Sequence, residues 1–346
     1  MVKKFNSKRF HEERKKFFKI PIQQIDIDNG IAVSDLVEQF SNASIQARNL
    51  GNAALTWEQM LTDQKRPTIF LGLTGPLIAA GLRRVIAGLI KDNLVDVVVS
   101  TGAIIYQDLF YAKGGVHYKG YPNANNKKLQ ELRINRIYNV FTDDLKFEET
   151  DDYVDQFARK LSPGNYSSRQ FLNEIAKEID DENSILKASY DHNVPIFVPA
   201  LNDSSIGIGL TKYWSDFKNK PKVIIDSIKD NYEIVQIILK SKMTGAVYIG
   251  GGVPKNFVND AIVMANLDFN ASVDGHMYAI QVSTAIPMDG GLSGSTLNEA
   301  VAWGKIKDET RNTMVFLEAS IGLPLLYGYL KEKNLGLKRG RQNFKI

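Results

Sequence analysis

The stretch TIFLGLTGPLIAAGLRR, residues 68–84, begins with a six-residue apolar run and passes directly into a turn that contains glycine and proline. A strand that is apolar at nearly every position is typical of a parallel sheet covered by helices on both faces. The turn after such a strand is where open α/β sheets carry their ligands. The stretch therefore predicts one strand of such a sheet and a ligand crevice at its carboxyl end.

The same pattern recurs along the chain. Further apolar runs, separated by helix-length segments, are LVDVVVST (94–101), VPIFVPA (194–200), KVIID (222–226), GAVYIG (245–250), YAIQVS (278–283) and TMVFLEAS (313–320). Four of the seven runs lead into turns of glycine, small or polar residues, at 74–76 (TGP), 100–102 (STG), 201–203 (LND) and 251–253 (GGV), although none of these is the GxGxxG dinucleotide fingerprint. The pattern predicts an α/β fold of the Rossmann-like, doubly wound type, with a mostly parallel sheet and helices on both faces.

Composition excludes several classes of site. The chain has no cysteine, so it has no disulfide, thiolate metal ligand or cysteine nucleophile. Its four histidines, at positions 11, 117, 192 and 276, lie far apart in the sequence, and we expect no metal site. The N-terminus lacks the apolar core of a secretory signal, and no apolar run has membrane-spanning length. We therefore expect a cytoplasmic protein without a membrane partner.

The formal charge of +4 is unevenly distributed. Residues 1–20 contain eight Lys/Arg against two Glu, and residues 331–346 contain six against one, so the tails carry +11 and the body −7. An acidic body suits a cationic small molecule better than nucleic acid. The alternative is that the tails carry solvated charge and only keep the protein soluble.

The segment SVDGHMYAIQVSTAIPMDGGLSGSTLNEAVAWGKI, residues 272–306, contains the candidate reactive group. Lys305 follows Trp303 and Gly304 and is either a solvated surface lysine or an amine held partly dry for chemistry. Thr296 and Glu299 have the spacing of a helix capping box, which is the structural alternative to a ligand-binding role for Glu299.

The motifs of this segment resemble those of the deoxyhypusine synthase family, whose catalytic lysine lies in a Trp-Gly-Lys-Ile setting. The resemblance extends over about residues 65–330, in matching order. It is carried by VDVVVST (95–101), INRIYN (134–139), VPIFVPALND (194–203), GGGV (250–253), STA (283–285), DGG (289–291), EAVAWGKI (299–306) and EAS (318–320).

The resemblance implies a Rossmann-like subunit that binds NAD and a homotetramer, a dimer of dimers with active sites at the dimer interface. Residues 1–60 would form an N-terminal helical extension, and residues 61–346 an NAD-binding catalytic domain with a basic C-terminal tail. In that family, NAD takes a hydride from the polyamine spermidine, the lysine captures the aminobutyl group as an imine, and an acceptor amine displaces the lysine.

Residue roles follow from the same resemblance. Lys305 would be the catalytic lysine, and its apolar neighbours Trp303 and Ile306 are expected to favour the neutral amine that attacks a carbon. Eleven residues would bind NAD: Thr74, Thr101, Gly102, Asp203, Gly251, Gly252, Thr284, Ala285, Asp289, Glu318 and Ala319. Six would bind the substrate: Gln107, Asn256, Gly290, Gly291, Glu299 and Trp303.

Several positions depart from the family pattern. Asn256 stands at the family's proton-handling histidine, Ile208 and Leu292 stand at acidic positions, and Gln107 stands at a glutamate. Glu318 replaces the usual aspartate, and the turn at 74–76 lacks the family's Ser-Asn pair. Fewer carboxylates mean weaker binding of a multiply charged amine. Tyr106, Tyr111, His117 and Tyr118 would either supply replacement contacts or form an ordinary polar loop.

These observations lead to a transferase hypothesis. The chain would move an aminobutyl or related alkylamine group from spermidine or a similar polyamine through a Lys305 imine to a small acceptor amine such as putrescine, giving a homospermidine-type product. One alternative is deoxyhypusine synthase proper, with a translation-factor lysine as the acceptor. The other is a catalytically inactive NAD-binding paralogue.

Overall fold

The computed structural model describes residues 8–346, apart from the side chains of residues 308–310. The strands are β1 (Thr68–Leu73), β2 (Val97–Ser100), β3 (His117–Lys119), β4 (Ile134–Ile137), β5 (Val140–Asp143), β6 (Gly164–Tyr166), β7 (Ile196–Phe197), β8 (Val223–Ile225), β9 (Thr244–Ile249), β10 (His276–Val282) and β11 (Ile306–Val315).

The helices alternate with these strands. They are α1 (Lys8–Phe17), α2 (Val33–Asn42), α3 (Ile45–Thr62), α4 (Arg83–Lys91), α5 (Gly102–Ala112), α6 (Asn126–Glu131), α7 (Asp144–Lys160), α8 (Ser168–Lys177), α9 (Ile185–His192), α10 (Ser205–Asp216), α11 (Ser227–Lys240), α12 (Gly252–Asp268), α13 (Leu297–Ala302) and α14 (Ala319–Glu332). Within residues 8–346, no helix is long and apolar enough to cross a membrane.

Six strands form the central sheet, in the order β11-β10-β9-β1-β2-β7, and all neighbours are parallel. Numbered by their appearance in the chain, these strands follow the order 3-2-1-4-5-6, which is that of the Rossmann fold. The strand order reverses between β1 and β9, so the crevice for a ligand is expected beside these two strands. The predicted doubly wound α/β fold is confirmed.

Alternate side chains of the central strands enter two separate cores. In β1, Ile69 and Leu71 pack with α3, α4 and α14, whereas Phe70 packs on the other face with α11 and α12. In β9, Val247 belongs to the first core and Tyr248 to the second. Because successive side chains of a strand point to opposite faces, an all-apolar strand needs helices on both sides, as found here.

One predicted strand lies elsewhere. Segment 222–226 forms β8, which pairs with β6 in a separate two-stranded parallel sheet. Ile224 is exposed and Ile225 only partly buried, so β8 lacks the two-sided burial of the central strands. Strands β3, β5 and β4 form a small antiparallel sheet after α5.

The predicted N-terminal extension contains helices with different degrees of burial. α1 has no buried residue. α3, in contrast, buries Trp57 and Met60 in the first core, and Trp57 Nε1 donates to Leu94 O at 3.3 Å. The domain division at residue 60 stays a prediction, and this residue lies inside the last turns of α3.

The basic C-terminal tail is docked against the amino end of the sheet. Arg339 is buried and pairs with Asp96, which also accepts from Arg66 at 2.8 Å and from the amide of Ile69 at 2.9 Å. Arg339 Nη2 also donates to Pro67 O at 2.8 Å. Burial lowers the pKa of Arg339 from its ordinary value, and the Asp96 carboxylate opposes this shift. The charge of Arg339 is therefore structural, not merely solvated.

Replacing Arg339 by alanine should lower the free energy of unfolding by about 3 kcal/mol, because removing one partner leaves the buried Asp96 carboxylate undercompensated. The matched control is Lys338→Ala at the neighbouring exposed position, where a change of less than about 0.5 kcal/mol is expected. Urea denaturation of the three proteins measures both values. Equal stability of the two variants would contradict a structural role for Arg339.

Candidate active site

The carboxyl ends of the central strands are joined by backbone hydrogen bonds. The amide of Thr74, just after β1, donates to Ile249 O at 2.9 Å, and the amide of Gly250, just after β9, donates to Val282 O at 2.8 Å. The loops after β1, β9 and β10 therefore start side by side at one edge of the sheet. The residues predicted to face NAD all lie in the loops after central strands or begin the helices after them: Thr74, Thr101, Gly102, Asp203, Gly251, Gly252, Thr284, Ala285, Asp289, Glu318 and Ala319.

The edge beside β1 has features that fit a dinucleotide. Helices α5 and α12 begin there on opposite faces of the sheet, and their N-cap residues, Thr101 and Gly251, supply no side-chain cap. An N-terminus without such a cap presents amide donors and the positive end of the helix dipole to an anion such as a pyrophosphate. Exposed carboxylates at Asp203 and Asp289 can accept hydrogen bonds from ribose hydroxyls.

Two of the predicted glycines serve the packing of the chain itself. A Cβ atom at Gly102 would lie 2.5 Å from Ser204 Oγ, and one at Gly251 would lie 2.6 Å from the Cα atom of Ser293. At these positions glycine admits a neighbouring loop. Gly102 and Gly251 therefore shape the crevice by letting the segments at Ser204 and Ser293 pack beside the first residues of α5 and α12.

Two other predicted NAD-facing side chains have protein partners. Thr74 Oγ1 donates to Gly251 O at 2.7 Å, which joins the loops after β1 and β9. Glu318 caps α14, and its Oε2 atom accepts from the Ser320 amide at 2.8 Å. Thr74 can still accept a hydrogen bond, and the second carboxylate oxygen of Glu318 is available to a ligand.

Lys305 lies between α13 and β11. Gly304 has φ +67°, and a Cβ atom placed there would meet no atom within 4 Å, so the turn requires glycine for its left-handed backbone and not for space. The ammonium of Lys305 is 2.8 Å from Asp260 Oδ1 and 5.5 Å from the centre of the Trp303 ring. It also lies 3.4 Å from Asn256 Oδ1. The Lys305 ammonium thus contacts two polar side chains of α12, those of Asp260 and Asn256.

A cavity of about 570 Å³ lies against Lys305. It is lined by Asn231, Val253, Asn256, Phe257, Asp260, Val263, Met264, Leu292, Trp303 and Lys305. Lys305 lies just before the amino end of β11, whereas the predicted NAD-facing residues follow the carboxyl ends of the central strands. The cavity spans this separation, since it runs along α12 from Val253 in the first turn to Met264, about 16 Å further along the axis.

Within a single chain, the apolar side chains expected around Lys305 enclose it only partly. Ile306 is buried, but the Trp303 side chain is 69% exposed. The Trp303 ring faces the ammonium of Lys305 itself, at a distance where a cation–π attraction is effective. Trp303 and Asn256 are the predicted substrate-binding residues that the structure brings together with Lys305.

Glu299 forms the capping box that its spacing indicated. Its Oε2 atom accepts from the Thr296 amide at 3.3 Å, and its own amide donates to Thr296 Oγ1 at 2.9 Å. The negative charge of its carboxylate also acts to raise the pKa of Lys255, against the effect of burial. Glu299 is outside the lining of the Lys305 cavity.

The remaining predicted substrate-binding residues also lie outside that lining. Gln107 is buried in α5, and its Oε1 atom has no hydrogen-bond partner in the described structure. Gly290 and Gly291 are exposed in the loop before α13. At the positions where the family has acids, Leu292 lines the cavity, whereas Ile208 is 60% exposed on α10.

The aromatic and polar residues proposed as replacements do not form one surface. Tyr106 is buried, and its hydroxyl donates to Phe147 O at 2.9 Å. The Tyr111 hydroxyl accepts from the His117 amide at 3.3 Å, and Tyr118 is exposed. Tyr106 and Tyr111 lie on α5, and His117 and Tyr118 lie on β3, so the predicted polar loop is wrong for these four residues. Tyr106, Tyr111 and His117 are engaged in local packing, which favours a structural role over replacement contacts. In the described part of the chain, no group of acidic or histidine residues could hold a metal ion.

Comparison with known proteins shows the family of the chain. The family model "Deoxyhypusine synthase" matches residues 35–330. The chain is 42% identical to "Probable deoxyhypusine synthase 2" of Methanosarcina acetivorans, over 92% of each protein. It is also 42% identical to the "Deoxyhypusine synthase-like protein" of Chlorobaculum tepidum, over 95% of this chain and 94% of that protein.

The chain belongs to the deoxyhypusine synthase family. Its fold is similar to that of a crystallised deoxyhypusine synthase homologue from Entamoeba histolytica, with a TM-score of 0.62 at 20% identity, covering 94% of this chain and all of the other. The resemblance inferred from the motifs at 95–101, 250–253 and 299–306 is confirmed.

Sequence reasoning missed Lys255, a buried lysine of this deoxyhypusine synthase-family site. Its ammonium donates to Gln281 Oε1 and Ser295 Oγ, both at 3.0 Å, and to Ser295 O. Gln281 in turn donates to Gly250 O at 2.9 Å and Ser293 O at 2.8 Å. Burial lowers the pKa of Lys255 to about 8, and Lys305 acts in the same direction. Lys255 thus fastens the loop before α13 to β10 and α12.

Asp260 was also missed. It is four residues after Asn256, so both side chains lie on one face of α12, and Asn256 Nδ2 donates to Asp260 Oδ2 at 2.7 Å. The i,i+4 spacing was visible in the sequence. The contact of Asp260 with Lys305 was not, because the two residues come from different elements of the fold.

A buried acid, Asp230, lies near the carboxyl end of β7. Ser168 Oγ donates to Asp230 Oδ1 at 2.9 Å and accepts from the Val198 amide at 2.8 Å. The other oxygen of Asp230 has no hydrogen-bond partner in the described structure. Burial raises the pKa of Asp230 to about 7, and the neighbouring Glu233 adds to this shift. Asp230 precedes Asn231, which lines the Lys305 cavity.

Replacing Lys255 by methionine should loosen the loop formed by residues 289–295, because the variant leaves Gln281 and Ser295 without their shared donor. We expect amide hydrogen exchange in this loop to accelerate about tenfold or more, since hydrogen bonds to a charged group contribute about 1.5–3 kcal/mol. Lys242→Met, at an exposed position, is the control. Unchanged exchange in the loop would show that Lys255 does not hold it.

The raised pKa of Asp230 predicts a pH dependence of stability. Between about pH 4 and pH 7 the folded chain keeps a proton that the unfolded chain has lost, so raising the pH through this window should lower the free energy of unfolding. The contribution of this residue is at most about 1.4 kcal/mol per pH unit. Asp230→Asn should remove it and make the variant more stable than the parent above pH 7.

Denaturation of both proteins between pH 4 and pH 8 measures this difference. Asp28→Asn, at an exposed position, is the control and should leave the slope unchanged. Parallel stability curves for the parent and Asp230→Asn proteins would be incompatible with a proton held at Asp230.

Proposed function

We propose that the protein is an NAD-dependent transferase of the deoxyhypusine synthase family, acting through an imine on Lys305. It would take an aminobutyl or related alkylamine group from spermidine or a similar polyamine and pass it to a small acceptor amine such as putrescine, giving a homospermidine-type product. The observation that carries this proposal is the ammonium of Lys305 at the wall of a mostly apolar cavity of about 570 Å³, a size suited to a small ligand.

NAD, when bound, would accept a hydride from the carbon beside a secondary amine and return it to the product imine. The N-termini of α5 and α12 would hold its phosphates, and Asp203, Asp289 and Glu318 would accept from its ribose hydroxyls. Helices α12 and α5 follow β9 and β2, the two neighbours of β1, and this position beside the strand-order reversal supports the assignment of the phosphates.

The chain itself would supply the nucleophile and its surroundings. Lys305 must lose a proton before its nitrogen can attack a carbon, and Asp260 Oδ1 and Asn256 Oδ1 are the oxygens in contact with that nitrogen. The apolar wall formed by Val253, Leu292 and Trp303 would cover the methylene groups of the transferred chain and limit hydrolysis of the Lys305 imine.

The charges of the cavity support a small acceptor. Among its lining residues, Asp260 and Lys305 are the charged ones, and Leu292 stands where the family has an acid. Each buried ammonium needs a partner, so this cavity suits an amine with few charges near Lys305. A putrescine-like amine meets this condition better than a basic protein surface does.

Deoxyhypusine synthase proper is the second candidate. The relative from Methanosarcina acetivorans carries that name, at 42% identity over 92% of this chain. This function predicts transfer of label from spermidine to a lysine of a translation factor. The small-amine proposal predicts transfer to putrescine, so one labelled donor with two acceptors separates the candidates.

The assembly and location belong to the same proposal. We expect a homotetramer, a dimer of dimers whose interfaces complete the active sites, in the cytoplasm. Large apolar side chains around the site support an interface, since Met288 is 87% exposed, Trp303 69% and Val253 47% in one chain. Light scattering should give four times the 38.8 kDa mass of one chain.

Lys305→Arg keeps a cation beside Asp260 but cannot form an imine, so transfer should fall by on the order of 10³-fold or more while NAD still binds. Lys307→Arg, two residues later, is the matched control and should keep its activity. The assay incubates each protein with NAD and radiolabelled spermidine, with and without putrescine, quenches with borohydride and maps the labelled peptides.

Label on Lys305 that putrescine discharges into homospermidine is the expected result. Undiminished transfer by the Lys305→Arg variant would refute the imine mechanism. Absence of label in a protein that binds NAD would refute spermidine as the donor and favour a paralogue without this reaction.

A further inference from the structure

The Asp260 carboxylate is held in place and open to the cavity. Asn256 Nδ2 fixes its Oδ2 atom at 2.7 Å, and Lys305 Nζ contacts its Oδ1 atom at 2.8 Å. The Asp260 side chain is 40% exposed, whereas that of Lys305 is 16% exposed. A cation that enters from the cavity can therefore reach Asp260 while Lys305 is still beside it.

The cavity contains one negative charge for the ammonium of a ligand. Its other lining residues, Asn231 on α11 among them, are neutral apart from Lys305. The charged groups behind the lining are Lys255 on α12 and Glu299 on α13, whose carboxylate favours the charged form of Lys255. Tyr248 on β9 is buried near Asp260, and its hydroxyl donates to Asn259 Oδ1 at 2.7 Å.

We propose that Asp260 is the subsite for an ammonium end of the amine substrate, and that an amine bound there takes the carboxylate away from Lys305. Its place in turnover rests on the proposed transferase function, but the exchange of partners requires neither NAD nor spermidine. The ligand class is an alkylammonium with a single charged group at Asp260 and an apolar chain along Val253, Leu292 and Trp303.

The exchange would prepare Lys305 for reaction. Without an amine, the carboxylate stabilises Lys305 as an ammonium, which has no lone pair and cannot attack. With an amine at Asp260, Lys305 has a second cation beside it and apolar walls around it. The charged form is then disfavoured, so a larger share of Lys305 gives its proton to water and becomes the neutral amine that can attack.

The experiment measures the reactivity of Lys305 by trace acetylation with isotopic acetic anhydride, followed by peptide mass spectrometry, between pH 6 and pH 10. The probe is N,N-dimethylbutylamine, a monovalent alkylammonium that gives no stable acetyl product. N,N-dimethylbutanamide is the neutral control ligand. In the parent protein the amine should increase acetylation of Lys305 at pH 7 about tenfold, and the amide should not.

Two variants complete the test. Asp260→Asn should acetylate at Lys305 about tenfold faster than the parent without any ligand and should not respond to the amine. Asp268→Asn, an exposed position on the same helix, should behave as the parent. Acetylation of lysines outside the site, such as Lys229 and Lys242, should be equal in all proteins and serves as the internal reference.

Three results would overturn the proposal. Protection of Lys305 by the amine would show that the amine leaves the ion pair intact. Slower acetylation of Asp260→Asn would mean that Asp260 removes the Lys305 proton in the empty site. Equal effects of the amine on Asp260→Asn and the parent would place the amine elsewhere. Each leaves the spermidine assay of the transferase proposal unaffected, so the two proposals fail independently.

Discussion

The parallel pairing of β1 with β2 on one side and β9 on the other is the constraint on which the structure depends. Each of these strands is buried on both faces, so helices must return the chain from one edge of the sheet to the other. The loops after these strands consequently start at one edge. Helix α12 then runs back along the sheet and carries Asn256 and Asp260 to Lys305.

Asp260 lines the same cavity as Leu292 and Asn256, two of the residues that depart from the family pattern. Leu292 makes the wall apolar, and Asn256 has no proton to exchange at neutral pH, but it orients the carboxylate one helical turn later. The negative charge near the lysine is thereby concentrated at one residue. If the proposed amine substrate is correct, such a cavity would discriminate among amines by the number of their charges as much as by their length.

The sequence was sufficient for the fold because the signal is local. Residues 69–73 and 245–249 are all apolar or glycine, and both ranges lie in central strands that are buried throughout. Segment 222–226 has a similar composition, but its strand, β8, pairs with β6 outside the central sheet. Its position was not predictable, because composition does not reveal which strands pair. The capping box of Glu299 was predictable from its spacing with Thr296. The contact of Lys305 with Asp260 was not, because it joins residues 45 positions apart through tertiary packing.

The ion pair of Arg339 with Asp96 has a consequence for biosynthesis. The two residues are 243 positions apart, so Asp96 and the first two strands leave the ribosome long before their last partner is made. Until then, Asp96 at the amino edge of the sheet can pair with Arg66 but not with Arg339. The contact of the Arg339 guanidinium with Pro67 O is also missing. This ion pair can therefore form only after residue 339 has been made, when all six strands of the central sheet already exist.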